Sequence, residues 1–134
     1  MLVSHVMLVL GTFPVLKQDE IVKVCLEKMS HYRLGIACIV DDSGLLLGIF
    51  TDGDLRRKLL NAQKPIASFF VDDVLDHGTH NPLRIKDSDS LASSVELMEL
   101  HHVWDLPVVD SSSKLVGLLH LHPAVKALLQ SHTA

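Results

Sequence analysis

Thr51 and Asp54 are the residues of this 134-residue chain best spaced to hold a ligand. They lie in the run Gly48-Ile49-Phe50-Thr51-Asp52-Gly53-Asp54-Leu55-Arg56-Arg57, where an apolar strand gives way to a helix. A hydroxyl and a carboxylate at that spacing can both face the crevice at a strand end, and convergent polar groups there make a pocket. The same spacing suits a helix N-cap, with Thr51 or Asp52 satisfying the free N–H groups of the first turn, and the two roles are compatible. Arg56 and Arg57 follow on the helix. A guanidinium grips phosphate or carboxylate in bidentate fashion, although a solvated helix face carries the same residue type. His120 and His122 are two positions apart, so they share a strand face if the strand reaches that far. They could hold an anionic ligand or titrate near neutral pH.

Other chemistries find less support. Nine histidines raise the question of a metal, but His77-x-x-His80, His101-His102 and His120-x-His122 lack the ligand spacing of a structural zinc site with cysteines. Hydrogen-bonded or solvated histidines are the expectation, with no metal. There is no nucleophile turn, P-loop or dinucleotide fingerprint, so no catalytic residue and no cofactor is assigned. Cys25 and Cys38 are too few for a disulfide scaffold and read as reduced core residues, which points to the cytoplasm. A chain that is 48% apolar and 21% charged is not disordered. A net charge of −4 without a long basic block argues against a nucleic-acid partner. Met1 to Leu16 carries no formal charge, yet it lacks the basic start and cleavage site of a signal peptide. Gly11 and Pro14 interrupt it and it is too short to span a bilayer, so a buried first segment and no membrane partner are expected.

The elements that must position these residues come from an internal repeat. Leu46-Leu47-Gly48-Ile49 resembles Leu115-Val116-Gly117-Leu118 at an offset of 69 residues. The same offset pairs Val40-Asp41 with Val109-Asp110, Glu27 with Glu96, Met29 with Met98 and Ser43 with Ser112. Each copy reads as β-α-β-β-α. An extended segment (Pro14 to Lys17, Pro82 to Lys86) leads into a helix. Asp19 is the candidate cap of the first helix, with Ile21, Val22, Cys25, Leu26 and Met29 at helical spacing. Asp87 to Ser90 supply candidate caps for the second, with Leu91, Val95 and Met98 as its stripe. Two strands joined by Asp/Ser/Gly turns follow: Ile36 to Val40 with Leu45 to Phe50, and Leu106 to Val109 with Leu115 to Leu119. Closing helices run from Asp54 to Leu60 and from Pro123 to Leu129. The expected division is 1–62 for the first repeat, 63–80 for a connection with a short helix near Ala67 to Leu75, and 81–134 for the second repeat.

This pattern resembles a tandem CBS domain pair over about residues 3 to 130. The resemblance implies an α/β (α+β) fold of two β-α-β-β-α repeats packed as a pseudo-two-fold pair. It implies that Thr51 and Asp54 contact ribose hydroxyls, that Lys17 borders a nucleotide, and that Leu34, Gly35, Ile36 and Ala37 wall the base. Gly35 would leave room for a ring where its counterpart Trp104 would not, or would stack on one. In the second repeat His120 and Pro123 stand at the Thr and Asp positions, so the ribose-binding carboxylate is missing there. A narrower resemblance joins the run from Gly48 to Arg57 and Leu118-Leu119-His120-Leu121-His122 to the C-terminal region of D-arabinose 5-phosphate isomerases. In that family a sugar-isomerase (SIS) domain carries the catalysis and precedes the CBS pair. The chain then reads as the piece after that domain, with Met1 added, and not as an enzyme by itself. The implied ligand is a nucleotide or nucleotide sugar, CMP-Kdo or an adenine nucleotide, sensed on the route to lipopolysaccharide or capsule. Self-association through the CBS pair, with the SIS domain of the parent as covalent partner, is also implied. A ligand-free oligomerisation module and a different parent, such as a nucleotidyltransferase, are the alternatives.

Overall fold

The computed structural model describes residues 1–61 and 65–131. The elements begin with a 3-10 turn at Val3–His5, followed by β1 (Leu8–Val9), β2 (Val15–Lys17), α1 (Val22–Tyr32), β3 (Ile36–Val40), β4 (Leu46–Thr51) and α2 (Asp52–Asn61). The connection holds α3 (Ile66–Phe70), α4 (Val74–His77) and β5 (Thr79–His80). The second repeat supplies β6 (Ile85–Lys86), α5 (Leu91–His101), β7 (Asp105–Val109), β8 (Leu115–His120) and α6 (Leu121–Ser131). None of these helices is long and apolar enough to cross a membrane.

Two compact units result: a central unit, Gly11–Pro82, and a terminal unit made of Met1–Leu10 with Leu83–Ala134. Each contains one four-stranded mixed sheet. In the central unit the order is β2-β3-β4-β5, with β2 parallel to β3 and the other pairs antiparallel. In the terminal unit it is β1-β8-β7-β6, with β6 parallel to β7 and the rest antiparallel. The fourth strand of each sheet thus comes from the segment that precedes the other repeat. This division departs from the linear one, which puts residues 1–10 with the first repeat. The reason is pairing: Leu8 lies opposite Leu118 and Val9 opposite Gly117, while Val3 is fully buried in the terminal core. The expected boundary at residues 62 and 63 falls outside the described residues.

Glycine makes these edge pairings possible. A Cβ on Gly48 would stand 2.8 Å from the carbonyl oxygen of Thr79 in β5. One on Gly117 would stand 2.8 Å from that of Leu8 in β1. The two glycines that define the repeat offset are therefore places where a neighbouring backbone comes close.

Each core lies between a sheet and its helices. In the central unit Val22, Cys25 and Met29 from α1 meet Leu16, Ala37, Ile39 and Phe50 from the sheet, with Phe69 and Val74 from the connection. In the terminal unit Leu91 and Met98 meet Ile85, Leu106, Val108 and Leu119, with Ala124 from α6. Every residue of β3 is buried, which fits its near-continuous apolar sequence. Both hairpin turns are tied by an aspartate. Asp41 Oδ1 accepts from Ser43 N, Ser43 Oγ and Leu45 N, and Asp110 Oδ1 accepts from Ser112 N and Lys114 N.

Three local expectations need correction. Asp19 does not cap α1: the N-cap is Ile21, whose extended backbone bridges to Asp73 in place of a side-chain cap. Ser90 does cap α5, accepting from Ser93 N. The connecting helix near Ala67 to Leu75 is two short helices, because Asp73 turns extended (φ −62, ψ 131) to make that bridge. Strand β8 stops at His120, so His122 lies in the first turn of α6 and the two histidines do not share a strand face.

Candidate functional site

The site in the central unit is built at the junction of β4 and α2. β4 delivers Thr51 opposite Ile36 in the hairpin register, and α2 starts at the next residue. Asp52 and Asp54 occupy the first helical turn, where the helix dipole favours negative charge. Thr51 Oγ1 accepts from Asp54 N at 3.2 Å, and Asp54 Oδ2 accepts from Thr51 N at 3.0 Å. This reciprocal arrangement is a capping box, with aspartate in the place usually held by glutamate or glutamine. Thr51 Oγ1 also donates to Asp54 Oδ2 at 3.1 Å.

The other carboxylate oxygen has different partners. Asp54 Oδ1 accepts from Arg57 Nη2 at 2.6 Å and from Thr79 Oγ1 at 3.2 Å. The Asp54 side chain is 8% exposed and that of Arg57 61%. A buried carboxylate is thereby matched by a largely solvated cation and by a hydroxyl from β5. Thr51 and Asp54 thus fill the N-cap role that their spacing allows.

The remaining sequence candidates are distributed unevenly. Ile36 is buried opposite Thr51 and belongs to this junction. Ala37 pairs with Phe50, and its side chain is fully buried in the core. A Cβ on Gly35 would lie 2.5 Å from Asp52 Oδ2, so the room beside this glycine is taken by the Asp52 carboxylate. Lys17 pairs with Val40 at the far end of β3 from Ile36. Its ammonium contacts the Asp41 carbonyl and lies 3.5 Å from Asp42, away from Thr51 and Asp54. Arg56 is exposed, and its side chain makes no hydrogen bond or ion pair with the described residues. His122 is exposed and lines a shallow cavity on α6 with Val125, Lys126, Leu129 and Gln130.

In the terminal unit His120 has a partner that sequence reading missed. Asp105 lies directly opposite it in register, and His120 Nδ1 is 2.7 Å from Asp105 Oδ1. The offset of 69 maps Asp105 onto Ile36, so pairing the strands outward from the Asp110 turn would have located it. Thr79 carried no comparable signal, because it reaches Asp54 from a two-residue strand in the connection.

Burial raises the Asp105 carboxyl above the ordinary range, against the opposing hydrogen bond and charge of His120. The folded chain therefore holds a proton on Asp105 over a range in which the unfolded chain has lost it. Stability falls as pH climbs from the ordinary aspartate value through the raised one. Asp105→Asn is expected to remove that decline, so unfolding midpoints of wild type and variant diverge across this range. Parallel pH profiles would contradict it.

No group of three or more potential metal ligands is brought together among the described residues. Burial pushes the Cys25 thiol up to about 12, which leaves it inert as a nucleophile.

A family model described as the CBS domain matches residues 3–61 and 71–128. An uncharacterized protein of Chlamydia pneumoniae is 40% identical over 109 residues, 79% of this chain and 32% of its own length. Arabinose 5-phosphate isomerase KdsD of Escherichia coli K12 is 29% identical over 114 residues, 85% of this chain and 33% of its own. The chain thus spans about a third of the length of these curated relatives. Among solved structures, CBSX2 in complex with AMP is similar with a TM-score of 0.84 and 30% identity, covering 98% of each chain. CBSX2 from Arabidopsis thaliana is similar at 0.83 and 29%, covering 99% of this chain and 97% of that one.

Proposed function

The chain belongs to the CBS domain family, as a tandem pair, and from that premise we propose that it is a regulatory module that senses a nucleotide through the junction of β4 and α2. The observation that carries this reading is the grouping of Thr51, Asp54 and Arg57: hydroxyl, buried carboxylate and solvated guanidinium at one strand end. A carboxylate there accepts hydrogen bonds from sugar hydroxyls, and a guanidinium beside it suits an anionic group. The similar CBSX2, solved in complex with AMP, supports an adenine nucleotide as the first ligand to test.

The parent in this reading is a sugar-phosphate isomerase of the arabinose 5-phosphate type, in keeping with the KdsD relatives. The pair would then adjust an activity carried elsewhere in the protein, and a nucleotide sugar such as CMP-Kdo would be its feedback ligand. Regulation requires that the ligand bind one arrangement of the module more tightly than another. Exposed Leu100, Trp104 and Leu129 are the apolar side chains through which copies of the terminal unit would associate.

A ligand-free assembly role is the second reading. It is favoured by one observation: all acceptor positions of Asp54 are already used within the chain. Thermal unfolding separates the two. AMP or CMP-Kdo at about a hundred times Kd is expected to stabilise the chain by about 2.7 kcal/mol. An unchanged midpoint with both, at millimolar concentration, would leave the assembly role.

A further inference from the structure

We propose that Arg57 is an exchangeable gate on Asp54, closed in the free protein and transferred to the phosphate of an incoming nucleotide. This rests on the reading that Asp54 receives the sugar hydroxyls and adds what must leave before it can.

The two oxygens of Asp54 are not equivalent. Oδ2 is held by the backbone N–H and the hydroxyl of Thr51, inside the capping box. Opening those bonds would undo the start of α2. Oδ1 is held by Arg57 Nη2 and Thr79 Oγ1, both side-chain groups. A carboxylate oxygen offers about two acceptor positions, so each is filled. A sugar hydroxyl can reach Asp54 only by displacing a partner, and the exchangeable partners are on Oδ1.

Arg57 is the exchangeable partner that an incoming phosphate can satisfy elsewhere. Its side chain is 61% exposed, so water solvates the freed guanidinium, whereas Asp54 at 8% relies on protein partners. Arg57 lies three residues beyond Asp54 on the same helix face and stays beside whatever takes its place. Gly53 provides the space for it: a Cβ there would stand 3.3 Å from Arg57 Nη1 and 3.5 Å from Thr51 Oγ1. Glycine in a helix is unfavourable, and here it leaves the guanidinium free to lie over the first turn. A planar guanidinium with five donors matches a phosphate, so a ligand that brings both hydroxyl donors and a phosphate satisfies Asp54 and Arg57 together. A nucleoside brings only the first and strands the cation. The gate therefore discriminates nucleotide from nucleoside.

Calorimetric titration of adenosine and of AMP into wild type and Arg57→Ala tests this. The variant is expected to bind adenosine several-fold more tightly, because the competing cation is gone. It is expected to bind AMP about tenfold more weakly, because a charge-assisted contact to the phosphate is lost. Lys58→Ala, which removes the same charge from the same helix without touching Asp54, is expected to leave the AMP-to-adenosine ratio unchanged. If Arg57→Ala weakens both ligands alike, or alters neither, the gate is wrong although the nucleotide reading stands. If neither ligand binds either protein, the nucleotide reading falls and the gate falls with it.

Discussion

Asp54→Ala is expected to destabilise the central unit by about 2 kcal/mol and to abolish any thermal shift given by AMP. The first effect follows from what the carboxylate holds. Loss of a capping side chain costs about 1 kcal/mol on average, and charge-assisted hydrogen bonds to buried groups add to that. The Asp54 carboxylate accepts four bonds, one of which, from Thr51 N, is its half of the capping box. The ion pair with Arg57 adds little of its own, because the guanidinium is mostly solvated. The second effect is functional and separable. Asp54→Asn keeps the side-chain size and one acceptor oxygen, so it should recover part of the stability. It should not recover the AMP shift, since an amide presents a donor where the sugar hydroxyl needs an acceptor. Chemical denaturation with and without AMP reads both. An AMP shift that survives Asp54→Ala would remove this residue from the site.

Removal of Met1–Leu10 is expected to have the largest effect on stability, and to have it in the half of the chain that lies furthest along the sequence. These residues supply β1 to the terminal sheet and put Val3 in its core, with Val6 and Met7 packed against it. Val3 N donates to Asp89 O and Ser4 N to Asp87 O, while Leu91 N donates to Met1 O at the start of α5. Burying one aliphatic side chain contributes about 2 kcal/mol, so losing several apolar groups with a strand pairing removes at least about 4 kcal/mol. That is a large share of the stability of a small domain. Hydrogen exchange is the suitable readout. Amides of β7 and β8 should lose protection first, with those of β3 as the internal reference. Equal protection in truncated and full chains would contradict the assignment of this segment.

The truncation also shows where sequence reading reached its limit. β3 was legible to the residue, because Ile36 to Val40 is an unbroken apolar run bounded by turns. The repeat was legible because Gly48 and Gly117 keep one offset. β1 and β5 were not, since a two-residue strand carries no periodicity and its partner is far away in sequence. The ends of α1 and α5 were hidden for another reason. Both helices stop at a left-handed residue, Arg33 and His102, where glycine would have been the signal. At the site, Thr51, Asp54 and Arg57 stand close because a helix turn brings together residues three apart, and that much is local. Asp105 against His120 and Thr79 against Asp54 depend on pairing between strands, which no single segment encodes. Lys17 and Ala37 sit on the expected strands, but their surroundings depend on register: Lys17 on β2 pairs with Val40 of β3, and the Ala37 side chain faces the core.

The central claim is that a nucleotide meets the chain at the β4–α2 junction of the central unit. Amide chemical shifts recorded during an AMP titration test it most directly. The account predicts saturable shifts centred on Thr51 to Arg57 and on Thr79, with one dissociation constant across them. Amides that stay fixed at these positions up to millimolar AMP, or shifts confined to the start of α6, would contradict it.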